Sequence, residues 1–571
     1  MRVAGLDAGT MVCMARTYRP VDREQEFLLP PSMLDWLSED HVVWFVIEAV
    51  KRLDTSAFHR LARLGGVGRC GYDPDMMLTL FVYAMAHGVS SSRQMERLCH
   101  TDVAFRVICA QDAPDHTVLA RFRQRHQDEL AGLLTESLVL AAELGMVCLG
   151  TVALDGTKIA GNASKDANRG EARLRALADG YLAGLERTDQ AEDAVFGEQA
   201  RGDELPAQAR DRTGRRERID QALEQISRRR EQATRVDRER ARKAAGYERV
   251  VAEGGKRTGR YPTGTDRAGM AKIRWERAHA EAAERYQRWQ RARERGEPRR
   301  RGREVVPPEQ YCRVRQAWAR YQGELAAAQA AVSGDGASGG GASGGGAGGK
   351  GAAGPGQSAP AGERLDRFIA NMTDPDSRLL KTRNGWIQGY NCQTAASDDG
   401  FIISTRATQD ANDVEQFLPT VTAIMAMASE LVTRTGRDDL ATVGILLADA
   451  GYDSDANLAA EGPDRLIADG KRHTLARRVT TDPATGDPPR GGTARQRMNH
   501  RLRTAKGHAL YKRRSPLIEA PHAWLKDGRG LRRFTRRGLD AVDSELAFAS
   551  AVTNLLKITT KGITAHALRV G

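Results

Sequence analysis

The sequence predicts an α/β protein: an all-α N-terminal domain, then a domain built on a mixed sheet, with a long charged helical insertion interrupting the second. Three observations predict it. From Phe27 to about Gly145, apolar residues recur at three- and four-residue spacing, the period of a helix that buries one face. From Gly150, and again after Asp366, apolar runs of strand length end at acidic residues. Between about 170 and 330, Arg, Glu, Ala and Gln dominate and long apolar runs are missing, as in a solvated helical hairpin or coiled coil.

Residues 1–22 read as a flexible N-terminus and residues 23–146 as the helical domain. There, Asp35-Trp36-Leu37 and His41 to Ile47 carry the helical period. A helix follows Pro74 through Met76 to Val82, and Ser90-Ser91-Ser92 supplies N-caps for a short helix to Leu98. The next helix follows Pro114-Asp115-His116-Thr117 and carries Arg121, Arg123 and Arg125. Short helix, turn and Arg-bearing helix fits a helix-turn-helix contacting DNA; it fits equally an ordinary bundle with a solvated basic face.

Residues 147–165 and 365–560 read as the mixed-sheet domain, 166–332 as the insertion and 333–364, rich in Gly, Ala and Ser, as a flexible linker. Gly150 to Leu154 is a strand ending at Asp155. Gly389 to Thr394 and Phe401 to Thr405 form a hairpin around Asp398-Asp399-Gly400. Val414 to Thr433 is an amphipathic helix, Val443 to Ala448 a buried strand ending at Asp449, and Leu466-Ile467-Ala468 a further strand. Residues 479–515 read as a long basic connection, and Glu519 lies near the start of a helix with Trp524, Leu525 and Lys526. In the insertion, Tyr286/Trp289 and Trp318/Tyr321 share helix faces at i,i+3, where they pack the hairpin or stack on a nucleic acid.

At 571 residues the chain exceeds the roughly 250–300 at which single cores stop growing, so several domains are expected. The net charge is +13 and the pI about 9.5, which points to a polyanionic partner, nucleic acid first. An Arg-rich composition from a GC-rich genome gives the same balance. The seven cysteines show no metal-ligand or C-x-x-C spacing and suggest a reducing compartment. No apolar run approaches the roughly 20 residues of a membrane span, and the N-terminus lacks an apolar signal core. No membrane partner is expected; the expected place of work is the cytoplasm, beside the nucleoid.

With the insertion removed, the order is strand (Asp155), strand, strand, helix, strand (Asp449), strand, helix (Glu519). This is the ribonuclease-H-like order, in which the first and fourth strands lie side by side and end together. Asp155 and Asp449 would then sit close in space, with Glu519 brought in by the final helix. Three such carboxylates repel one another. Two Mg²⁺ or Mn²⁺ ions, which favour hard oxygen ligands, relieve that cost and serve phosphodiester chemistry. Singly, each acid has an ordinary reading as a strand-end turn residue or a helix-start acid.

Tyr390-Asn391-Cys392-Gln393, Ala448-Asp449-Ala450-Gly451-Tyr452 and the block Leu502 to Gly538 make the chain resemble bacterial insertion-sequence transposases of the DDE class. In that block Tyr511, Arg514, Glu519 and Lys526 stand as Y-x2-R-x4-E-x6-K, the group's Y-R-E-K signature, followed by Arg532-Arg533-Phe534 and Arg536-Arg537-Gly538. Phe27-Leu28-Leu29-Pro30-Pro31 and Gly71-Tyr72-Asp73-Pro74 resemble its leading helical domain. The resemblance implies that Asp155, Asp449 and Glu519 form the metal-binding catalytic triad and that Tyr511, Arg514 and Lys526 handle DNA ends. Arg513, Arg532 and Arg533, with Arg121, Arg123 and Arg125, complete the expected DNA-contacting set. It also implies a transposase that binds terminal inverted repeats, cuts there and joins the ends to target DNA, as a homodimer or higher assembly. The alternatives are a decayed or repurposed DNA-binding protein and a host ribonuclease-H-like nuclease without joining activity.

Overall fold

The computed structural model describes residues 32–60, 71–179, 207–255, 261–296, 305–333, 368–470 and 472–570. The expected flexible N-terminus at 1–22, the Phe27–Pro31 string and the linker from residue 334 onward lie outside them. The described residues divide into two compact units. One holds those up to Ile159, Asn391–Arg536 and Asp540 onward; the other holds Ala160–Tyr390 and Arg537–Leu539.

In the first unit, residues 42–143 form seven helices: Val42–Arg52, Ser56–Arg60, Pro74–Ala86, Ser92–Thr101, Val103–Ile108, His116–Arg125 and Gln127–Glu143. Their ends follow local chemistry. Asp73 accepts from the Asp75 amide and Pro74 fills the first helical position, where its missing N–H costs nothing. Met77 to Met85 are then buried without interruption. The expected short helix, turn and Arg-bearing helix is not a two-helix unit. Asp102 accepts from the Ala104 and Phe105 amides and starts an extra helix, Val103–Ile108, between the other two.

The first unit's sheet has the order β6–β5–β1–β7–β8, with β1 Thr151–Ala160, β5 Gly385–Ser397, β6 Ile402–Thr408, β7 Ile445–Ala448 and β8 Asp464–Ile467. Residues from Asn391 onward supply this unit's part of β5. β5 and β6 run antiparallel with a register shift at Ala395/Ala396. β1 and β7 run parallel, pairing Thr151 with Ile445, Val152 with Leu446 and Ala153 with Leu447. β7 and β8 also run parallel. β7 is buried throughout, as a strand flanked on both edges and covered on both faces must be. The helix Leu539–Thr560 lies almost wholly in the core. Its Asn554 binds both backbone groups of Ile402, at 2.8 and 3.0 Å, and so fixes the start of β6.

The stretch 479–515 is not a connection. It holds two whole helices, Ala494–Arg503 and Ala505–Lys512, with the end of Arg472–Thr481 and the start of Arg514–Ala523. Thr493 and Gln496 form a reciprocal capping box at the start of the second. Its Met498 and Leu502 join Leu447, Leu466 and Ile518 in one apolar cluster under the sheet.

In the second unit, β2 (Asn168–Gly170) pairs antiparallel with β3 (Ile369–Asn371), and β4 (Arg378–Thr382) with the Gly385–Gly389 part of β5; neither pairing was expected from the sequence. Tyr390 donates to both oxygens of buried Asp374, at 2.9 and 2.8 Å, and the Gly538 amide adds a third bond at 3.1 Å. Helices Ala207–Ala252, Arg267–Glu294 and Cys312–Ser333 carry the charged sequence. The last two pack together through Trp275 and Trp318, ring centroids 4.6 Å apart, with Tyr321 beside them. Trp318 therefore packs between helices, although 43% of it stays exposed.

Candidate active site

Continuing the β1–β7 register two residues beyond its last pair brings Asp155 level with Asp449. The sequence places the end of this strand at Asp155, but β1 runs on to Ala160, so Asp155 sits midway along β1, level with the residue that follows β7. Adjacent strands lie about 4.8 Å apart, so the two acids face one region. Asp449 follows the last residue of β7 and caps the 3₁₀ turn Ala450–Tyr452, its Oδ1 accepting from the Gly451 amide at 2.8 Å. Asp155 Oδ1 accepts from the Gly156 amide at 3.0 Å.

Arg514, the first residue of the helix Arg514–Ala523, reaches back so that Nη1 lies 3.3 Å from Asp155 Oδ2. The two side chains keep 17% and 23% of their surface exposed. Burial pushes the Asp155 carboxyl up, Arg514 draws it back and the Asp449 charge adds to the rise, leaving it at about 6. Burial works against the Arg514 cation, but Asp155, Tyr511 and Asp449 outweigh it and its pKa rises. Tyr511 is buried beside the same groups, and burial raises its phenol above the usual range.

The Arg514–Ala523 helix does not run on regularly to Lys526. It passes into a π-helical turn, Trp524–Gly528, a rare geometry that changes the register of the side chains beyond it. Lys526 Nζ donates from this turn to Thr157 Oγ1, two residues past Asp155. Burial lowers its pKa. Glu519 is exposed, and its Oε1 accepts from Ser515 one turn back on its own helix. The Asp155, Asp449 and Glu519 oxygens do not all come within 4.8 Å of one another.

The other basic candidates are spread out. Arg513 donates to Thr151 Oγ1 at 3.3 Å and pairs with Asp398, so it serves the start of β1 rather than the Asp155 position. Arg532 pairs with Asp527 at the surface, and Arg533 is exposed. On the helix His116–Arg125, Arg123 Nη1 donates to the Ser90 carbonyl at 2.9 Å, while Arg121 and Arg125 are exposed.

Two groups at this centre carry no signal in the sequence. Asp413, just before the turn Val414–Gln416, has its Oδ1 bound by Asn391 Nδ2 and Gln393 Nε2, both at 2.8 Å. Gln393 is held in turn by the Tyr452 hydroxyl, which donates to Oε1. His522 lies one turn past Glu519, with Nε2 buried and without a hydrogen-bond partner among the described residues. Burial, with Lys526 and Arg514 nearby, lowers its pKa to about 4. An imidazole whose folded pKa lies below its unfolded value stabilises the fold fully above about pH 6.5, and loses that contribution as pH falls toward 4. His522→Gln should flatten this acid limb of the Tm-against-pH curve; an unchanged limb would place the acid sensitivity elsewhere.

The donor set suits a hard divalent cation. Carboxylate oxygens are its preferred ligands. Burial is the main cause of the raised Asp155 carboxyl and the neighbouring Asp449 charge adds to it, a cost that a bound cation would relieve.

Two family models match the chain. Residues 31–125 match the transposase domain (DUF772), and residues 470–559 match a transposase DDE domain. The second match spans Tyr511, Arg514, Glu519 and Lys526; Asp155 and Asp449 lie before it. No curated protein matches the chain. No solved structure matches it either. No described helix is long and apolar enough to cross a membrane. The chain thus carries a match to a transposase domain near one end and to a transposase DDE domain near the other, consistent with an insertion-sequence transposase.

Proposed function

We propose that the protein binds the terminal inverted repeats of its own element, cuts DNA there and joins the ends to target DNA. Asp155, Asp449 and Glu519 would hold two divalent cations, Mg²⁺ or Mn²⁺. The observation that carries this reading is the parallel β1–β7 pairing, whose register brings Asp155 in β1 level with Asp449 just after β7, with Arg514 against Asp155. The order β6–β5–β1–β7–β8, with β1, β7 and β8 parallel and β6 antiparallel to β5, supports a ribonuclease-H-like catalytic domain.

The cations, when bound, would supply Lewis-acid activation of the attacking oxygen and charge neutralisation at the leaving oxygen. The chain's own residues do the rest. Arg514 holds positive charge over Asp155 and can turn its fork to a phosphate. Lys526, set by the π turn and Thr157, offers a second phosphate contact. Tyr511 buttresses Arg514 from the buried side. Glu519 must exchange its Ser515 bond for the centre, a side-chain rotation on a fixed helix. The helical residues 23–146 and the basic helices within 166–332 would grip DNA, and a dimer or higher assembly would bridge two ends on the chromosome.

A second reading, a DNA-binding protein without cleavage, is favoured by one observation: the Glu519 carboxylate is exposed and bonded to Ser515 on its own helix. Purified protein incubated with its element ends, with Mg²⁺ or with EDTA, separates the two. The transposase reading expects Mg²⁺-dependent cleavage and joining by wild type, and none by the Asp155→Ala, Asp449→Ala or Glu519→Ala proteins. Cleavage by all three variants would sink the site assignment. Joining activity separates a transposase from a simple nuclease. Binding should also weaken at least about tenfold between 50 and 200 mM salt, because phosphate contacts release counterions. A flat salt response would remove the basic surfaces as the grip.

A further inference from the structure

We propose that Asp413 is a fourth carboxylate of this centre, a positioning residue that raises the centre's affinity for divalent cations. The proposal rests on the reading that Asp155 and Asp449 hold such cations. The space it occupies is made by two glycines, each beside one of those acids. A Cβ on Gly156 would come 2.2 Å from Asp413 Oδ1, and one on Gly451 would come 3.2 Å from Asp413 Oδ2. The carboxylate therefore lies against the backbone of the residue after Asp155 and of the second residue after Asp449.

Its orientation is fixed from one side. Asn391 and Gln393, both almost wholly buried on β5, donate to Oδ1 at 2.8 Å each, and Tyr452 locks Gln393. Both donors are neutral amides, which stabilise the anion without cancelling its charge. Among the described residues these bonds all end on Oδ1, and no Lys or Arg forms an ion pair with Asp413. Oδ2 is thus left on the Gly451 side, toward Asp449. The oxygens of Asp413, Asp155 and Asp449 do not all lie within 4.8 Å of one another, so Asp413 acts through charge and orientation rather than as a shared ligand. Polar groups held this way beside metal ligands typically tune metal affinity 10–100-fold.

The test is Mn²⁺ titration of the full-length protein without DNA, followed by the electron paramagnetic resonance signal of free Mn²⁺. Asp413→Asn keeps an oxygen for the two amide donors and the volume between the glycines, and removes the charge. Its Kd for Mn²⁺ should rise about 10–100-fold with Tm little changed. Asp449→Asn serves as control and should lose binding. If Asp413→Asn binds as wild type does while Asp449→Asn is weakened, this proposal is overturned and the aspartate site stands. If wild type binds no Mn²⁺, or Asp449→Asn binds as tightly as wild type, the metal-site reading falls and this proposal with it. Should Asp413→Asn melt early, Asn391→Ala, which keeps the charge but frees one side of it, should weaken Mn²⁺ in the same direction; unchanged binding there also overturns the proposal.

Discussion

Replacing Asp449 with Asn should abolish metal-dependent DNA cleavage while leaving fold and DNA binding in place. Asp449 does two things: its Oδ1 caps the Ala450–Tyr452 turn through the Gly451 amide, and its charge faces Asp155. Asn is as good a cap as Asp, so the turn survives the exchange. What is lost is a full negative charge and a hard oxygen where the reading places a cation. Transition-state charge stabilisation by a bound cation amounts to several kcal/mol, so cleavage should fall on the order of 10³-fold. Binding to element ends, measured by mobility shift in EDTA, should stay within about twofold, since phosphate contacts carry most of the affinity. Cleavage by Asp449→Asn at near wild-type rate would remove Asp449 from the centre, and loss of binding would show that it acts on DNA instead. Asp449→Ala is the poorer test, because it also removes a cap whose loss costs about 1 kcal/mol.

The two aspartates were legible because each follows a buried apolar run, although β1 continues past Asp155 to Ala160, and because strand order alone makes those strands neighbours. Parallel register then does the rest: continued past its last pair, it matches the five residues from Thr151 to Asp155 with the five from Ile445 to Asp449. Glu519 was legible as a helix residue but not in its placement. Its rotamer is set by Ser515, four residues back, and no periodicity encodes that choice. The seven-residue step to Lys526 reads as two regular turns; the π turn at Trp524–Gly528 breaks that count, and Lys526 meets Thr157 by a local geometry no spacing rule contains. The helices within 479–515 went unread because Arg and Gln fill their exposed faces and Pro488-Pro489 interrupts the approach. The capping box at Thr493/Gln496 was the available signal. Asp413 was not legible at all. Its position depends on space left by Gly156 and Gly451, residues 257 and 38 positions away (413 − 156 and 451 − 413).

That dependence gives the second large effect. Gly156→Ala should destabilise the first unit by about 1–3 kcal/mol, the usual cost of forcing a methyl into a packed site. Gly156 lies in the middle of β1 and is not among the left-handed glycines, so the backbone itself tolerates alanine. The cost is steric. The added Cβ would sit 2.2 Å from Asp413 Oδ1 and 2.7 Å from Gln393 Nε2. Neither can retreat cheaply: two amides grip the first, and the second is buried and tied to Tyr452. Gly451→Ala should cost less, since its nearest approaches are 2.9 Å to Asp449 Oδ1 and 3.2 Å to Asp413 Oδ2. Asp413→Ala alone should also be destabilising, because it strands two buried amide donors. Combined with Gly156→Ala, however, it removes the atom the methyl strikes. The double variant should therefore be more stable than the sum of the single effects predicts, by at least ~1 kcal/mol. Melting of the four proteins under one set of conditions measures this coupling. Strict additivity, or a Gly156→Ala protein as stable as wild type, would mean that Asp413 does not lie against the strand bearing Asp155. A coupling of the expected sign would establish in solution that Asp413 packs beside the stretch of β1 that carries Asp155.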